Sequence, residues 1–109
     1  TSYENVYAIG DVTTMKVNET MTIPKAGVFA ESQGLSTAKN IISKIRNKEK
    51  LFLFDGKGGC FLESGKNTAS IIQVDMFAEP KPITEITESS KENLDKKIAF
   101  EKERLEKWL

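Results

Sequence analysis

The chain has 109 residues, 39% of them hydrophobic and 29% charged, with 16 Lys plus Arg against 16 Asp plus Glu. That size and balance predict one soluble compact domain and argue against a nucleic-acid binder carrying a dominant basic field. With one cysteine, Cys60, and no histidine, neither an intrachain disulfide, nor a thiolate–imidazole zinc site, nor a Ser-His-Asp or Cys-His device can be assembled.

No apolar run approaches the roughly 20 residues needed to span a bilayer, and no charged start followed by an apolar stretch marks a signal peptide. The opening, Thr1-Ser2-Tyr3, lacks an initiator methionine and reads as a piece of something longer. Val6-Tyr7-Ala8-Ile9 is apolar on both faces and ends at Gly10-Asp11, the pattern of a strand buried in a parallel sheet. Gly-Asp also forms ordinary turns, so an edge strand running into a turn is the plainer reading of the same residues. From Asp11 to Ile23 the composition turns polar and reads as a surface loop, with Met15, Val17 and Met21 as its apolar contacts.

Pro24 suits the first turn of a helix, and Val28, Leu35, Ala38, Ile42 and Ile45 recur at helical spacing, with Phe29 and Ile41 widening the stripe. One amphipathic helix is expected from about Ala26 to Arg46, stopping near Asn47, where Lys44, Arg46, Lys48 and Lys50 meet the negative end of the dipole. Leu51-Phe52-Leu53-Phe54 reads as a buried strand running into the glycine-rich turn Asp55-Gly56-Lys57-Gly58-Gly59. Cys60 to Glu63, the turn Ser64 to Asn67, and Thr68 to Met76 predict two neighbouring antiparallel strands. Glu79-Pro80-Lys81-Pro82 is a connector, because proline lacks the donor a sheet interior needs. Ser89 with Glu92 forms a capping box that opens a charged helix, whose Leu94, Ile98, Leu105, Trp108 and Leu109 share an apolar face with Phe100 off it.

Candidate chemistry is sparse. The glycine-rich loop lacks the Lys-Ser/Thr and the helix that a phosphate cradle needs. Cys60 is either a small buried hydrophobe or a redox thiol whose partner lies elsewhere. Lys25, a cation at the positive end of a helix dipole, is either a tolerated surface lysine or part of an anion site with the amides around Ala26 and Gly27. The last helix either packs on the domain's own sheet or lies on a membrane surface.

Taken in order, Tyr7-Ala8-Ile9-Gly10-Asp11, Pro24-Lys25-Ala26-Gly27-Val28-Phe29-Ala30-Glu31, Phe54 to Glu63 and Phe100 to Trp108 resemble one family. They look like the C-terminal portion of FAD-dependent pyridine nucleotide-disulfide oxidoreductases of the sulfide:quinone oxidoreductase type. The resemblance implies that Gly10-Asp11 meets the ribityl chain of FAD, with the Asp11 carboxylate accepting from its hydroxyls. It places Lys25, Ala26 and Gly27 at the pyrimidine edge of the flavin, where charge builds on reduction. It matches Cys60 to the second redox cysteine of sulfide-oxidising relatives, with no metal site.

The expected fold is α+β: a small antiparallel sheet packed by two amphipathic helices, as a fragment of a two-Rossmann flavoenzyme. Residues 1–23 would end the FAD-binding domain, and residues 24–109 would form a C-terminal helix, sheet and terminal amphipathic helix. The implied partners are the upstream FAD-binding domain, a quinone and a small reductant, with no nucleic acid, and the expected location is cytoplasmic or peripheral at the cytoplasmic membrane face. FAD is expected in the parent and not in the fragment, which is expected to be inactive and to self-associate. A type II NADH dehydrogenase-like quinone reductase shares several of these features. A non-catalytic interaction or membrane-docking module is the reading from another class.

Overall fold

The computed structural model describes residues 1–109. It is an α+β structure in which helix α1 (Gly27–Ile45) precedes strands β1 (Lys57–Gly65), β2 (Thr68–Asp75) and β3 (Ile83–Ile86), followed by helix α2 (Lys91–Trp108). The strands form one antiparallel sheet in the order β1-β2-β3. Two compact units divide the chain: Thr1–Gly58 with Asp75–Pro82, and Gly59–Val74 with Ile83–Leu109. β1 and β2 thread both.

In the first unit, Pro24 and Lys25 lie outside α1 rather than in its first turn. Ala26 is the N-cap, extended and without a side-chain cap, so the proline shapes the approach to the helix. The other end is a Schellman turn. Asn47 takes the left-handed conformation (φ 51°), its N–H donates to Lys44 O at 3.0 Å, and the Lys48 N–H donates to Ser43 O at 2.9 Å. Asparagine tolerates that region because its short polar side chain bonds locally.

The turn sends the chain back along α1, where Leu51–Phe54 does not form the expected sheet strand. The Asn40 carboxamide stands in for a neighbouring strand, its Nδ2 donating to Phe52 O at 2.8 Å and its Oδ1 accepting from the Phe52 N–H at 2.7 Å. Phe52 is therefore satisfied without a ladder, and Leu51 and Leu53, expected in a buried strand, are exposed. Val6–Ile9 likewise pairs with no strand, and Val6, Tyr7 and Ile9 are exposed. The polar stretch after it carries the 3-10 turn Gly10–Val12 and an antiparallel bridge from Lys16 to Thr22, which leads to the buried Ile23.

The inward face of α1 also differs from the expected one. Phe29, Gln33 and Ser43 are buried, whereas Leu35, Ile42 and Ile45 stand 53%, 48% and 74% exposed. The reason is that Gln33 and Asn40 must face inward to satisfy the backbone of the extended segments beside them, and an aliphatic stripe on the other side cannot do so.

Phe29 anchors this unit. Its ring meets Phe54 edge to face at 6.0 Å, and Phe54 meets Phe77 in the same way at 5.9 Å, an arrangement that aligns ring edges with ring faces. Gly56 and Gly58 are the seats of those rings. A Cβ at Gly58 would lie 2.7 Å from the Phe29 ring, and one at Gly56, where φ is +72°, would lie 2.5 Å from Phe77. The glycines expected in a turn thus serve ring packing, and Gly58 and Gly59 belong to β1 itself.

The second unit is a hairpin with a helix. Lys66 and Asn67, with φ of 50° and 57°, form a two-residue connection of the type whose twist matches that of the flanking strands. β3 was not expected. It is four exposed residues long, and its exit is fixed where Thr87 N–H donates to Ile71 O at 3.0 Å while the Ile71 N–H donates to Thr87 Oγ1 at 2.9 Å.

The cap of α2 falls one residue later than the capping box predicts: Ser90 Oγ accepts from the Asn93 N–H at 3.1 Å. Glu92 pairs with Lys96 instead, which lowers its carboxyl below the usual value through a direct hydrogen bond. Ser89 is drawn away to the hydroxyls of Ser64 and Thr68, at 2.8 and 2.9 Å. Phe100, expected off the packing face, is on it. Its ring lies 5.8 Å from that of Phe61, and Lys97 one turn earlier pairs with Glu63 at 2.5 Å, which raises the lysine above its ordinary value. Ile98, Leu105 and Trp108 are exposed.

Because Phe29 is buried and hemmed by Phe54, its ring cannot swing away from an added methyl group. Gly58→Ala is expected to cost about 1–3 kcal/mol as overpacking. In a double-mutant cycle read by urea denaturation, most of that penalty should vanish on a Phe29→Leu background.

Candidate functional site

The residues singled out at the start of the chain converge in the first unit. Ile9 is extended, and Gly10 then turns the chain with φ +67°. The close approach of Gly10 to α1 requires the absence of a side chain, since a Cβ there would stand 3.2 Å from the Ala30 Cβ. The Gly10 N–H donates to Gln33 Oε1 at 2.7 Å, and Gly10 O accepts from the Thr13 N–H at 3.0 Å and the Thr13 hydroxyl at 2.8 Å. These bonds hold the Gly-Asp turn against the start of α1.

Lys25 closes the arrangement from the other side. Its ammonium donates to Asp11 O at 2.6 Å and to Thr13 O. Both acceptors are neutral carbonyls, so the positive charge is oriented but not cancelled. The two amides at the head of α1, Gly27 and Val28, have no intrahelical acceptor, the first helical bonds being those from Phe29 and Ala30 to Ala26 O. Lys25 and Asp11 thus line one small cleft with the N-cap Ala26, beside the positive end of the α1 dipole.

The cleft among Gly10, Asp11, Thr13, Lys25, Ala26 and Gln33 is small, about 10 Å³, the room of a single water. A larger ligand would meet these groups from the outer rim.

Cys60 belongs to the second unit, on β1, and its thiol is exposed. The buried-hydrophobe reading does not hold. The strand alternation that turns Phe61 toward Phe100 turns Cys60 to the opposite face. Gln33 is the residue that sequence reasoning missed. Its signal was faint: a polar residue four positions after Phe29, on the same helical face.

No helix is long and apolar enough to cross a membrane. Compared with protein-family models, with curated proteins and with solved structures, the chain matches none.

Gln33 is buried and is the sole acceptor for the Gly10 N–H. Gln33→Leu, which keeps the bulk and removes the acceptor, is expected to cost about 1–3 kcal/mol. Hydrogen exchange should show faster exchange at Gly10 and Thr13, with the amides of α2 unchanged.

Proposed function

We propose that this chain is the C-terminal part of a flavin-dependent oxidoreductase that passes electrons from sulfide or a related small reductant through FAD to a quinone. The observation that carries the reading is the Lys25 ammonium, held on the Asp11 and Thr13 carbonyls beside the uncapped start of α1, on a turn that Gly10 and Gln33 lock to that helix. Asp11 would hold the ribityl hydroxyls. Lys25 and the head of α1, with Ala26 and Gly27 at its first turn, would face the pyrimidine edge and favour negative charge there. FAD bound in this way would supply the two-electron acceptor, its chemistry being the cofactor's own.

The exposure of Cys60 favours the sulfide reading over a type II NADH dehydrogenase-like one, since an accessible thiol could pair as a disulfide with a second cysteine of the parent, which sulfide would open while the electron pair passes to FAD. The aliphatic stripe of α1, with Leu35, Ile42 and Ile45 exposed, supports a covering surface on an FAD-binding domain, and the same stripe would make the isolated chain self-associate. Trp108 and Leu109, exposed at the end of α2, support a peripheral contact with the cytoplasmic membrane face.

Two variants of the flavoprotein carrying this chain separate the roles. Cys60→Ser should retain bound FAD and lose sulfide-dependent bleaching of the flavin absorbance, and unchanged bleaching would remove Cys60 from the mechanism. Lys25→Met should lower the flavin midpoint potential by about 30 mV, equivalent to about 1.4 kcal/mol for a two-electron couple. An unshifted potential in a protein that still binds flavin would show that Lys25 does not face the ring.

A further inference from the structure

At the C-terminal end of α1, Lys39, Ile42, Arg46, Lys48, Lys50 and Phe52 line a cavity of about 270 Å³. Its walls are mainly apolar and its rim is cationic. The Lys39 and Lys50 ammonium groups lie 5.6 and 4.9 Å from the centre of the Phe52 ring, and none of the four cations is in an ion pair. Glu49, the one acid between Lys39 and Phe54, also makes no ion pair and is exposed.

The helix dipole accounts for only part of this cluster. Its negative end attracts cations within the last turn, which covers Arg46, whereas Lys39 sits earlier on α1 and Lys50 beyond it. What gathers them is the backbone. The Schellman turn at Asn47 reverses the chain, the Ser43 hydroxyl donates to Lys48 O at 2.9 Å, and the Asn40 clamp fixes Phe52. The cavity is thus framed by hydrogen bonds on both sides rather than by mobile side chains alone.

We propose that this cavity binds a small amphiphilic anion, a medium-chain carboxylate, with its head among the four cations and its tail against Ile42 and Phe52. Four like charges around an apolar floor repel one another, and an anionic head relieves that repulsion while its tail removes apolar surface from water. The volume lies just below the roughly 300–1,000 Å³ of most drug-sized ligand sites, which limits the occupant to a short tail. The inference uses none of the residues assigned to the flavin itself and shares only Ile42 with the exposed stripe of α1.

Isothermal titration of the 109-residue chain with octanoate, octylamine, 1-octanol and acetate tests it, with backbone amide shifts locating the site. Saturable binding of octanoate at one site is expected, with shifts confined to residues 39–52 and weaker binding of the other three probes. Lys39→Glu combined with Lys50→Glu, both on exposed lysines whose exchange leaves the fold intact, should weaken octanoate by at least about tenfold. Ile42→Ser should weaken octanoate and leave acetate unchanged. Octylamine or 1-octanol binding as tightly as octanoate would overturn the proposal, as would acetate doing so or an unaltered affinity in the double variant. Binding to vesicles containing anionic lipid with no binding of free octanoate would also overturn it, since that would mark a charged surface rather than a cavity.

Discussion

The contact on which the first unit depends is the seating of the Phe29 ring on Gly58. Phe29 is the buried residue at the start of α1, and Gly58 lies where β1 begins, so this one contact sets how helix and strand approach within the unit. Phe54 extends it along the returning chain, and Phe77, seated on Gly56, extends it to the segment after β2. Ring edges against ring faces need defined orientations, and bare backbone beneath two of the rings removes the slack that side chains would introduce. Of the three rings Phe29 alone is buried, with Ile23 and Met76 as the other buried apolar residues of this unit, so the apolar core is small.

Around that anchor, polar side chains decide the rest. Gln33 and Asn40 each bind a backbone segment that has no strand partner, at Gly10 and Phe52 respectively. A buried unsatisfied amide costs more than an exposed leucine does, and so α1 turns those residues inward and leaves Leu35, Ile42 and Ile45 outside. Both candidate sites follow from this rotation. The Gly10 turn is held next to Lys25 by Gln33, and the basic cavity is framed by Asn40 and the Schellman turn that follows it.

The same hierarchy operates in the second unit. Asn93 is buried because its Nδ2 donates to Thr87 Oγ1 and Glu88 O, at 2.9 and 3.0 Å, and that bond sets the rotation of α2. Phe100 and Lys97 then face Phe61 and Glu63, and Ile98, Leu105 and Trp108 are carried to the surface. In each helix, counting apolar residues at helical spacing finds the helix and misassigns its inward face. The count weighs transfer free energies and has no knowledge of which backbone groups elsewhere lack partners.

The sequence by itself determined the local elements whose causes are local. Helical periodicity with the Asn47 stop located α1, the turn residues before Thr68 located the hairpin, the two prolines at 80 and 82 marked a connector, and the capping box at Ser89 placed the start of α2 to within one residue. It also brought Lys25 forward as a candidate from its place at a helix N-terminus, and Asp11 through the family resemblance. Only the tertiary structure decided that Leu51–Phe54 pairs with Asn40 rather than with a strand, that β3 exists beside β2, that Cys60 faces outward, and that the glycines before it receive aromatic rings. Each of those outcomes depends on partners distant in the chain. Steric fit and hydrogen-bond satisfaction between distant groups leave no periodic trace in either partner's own segment.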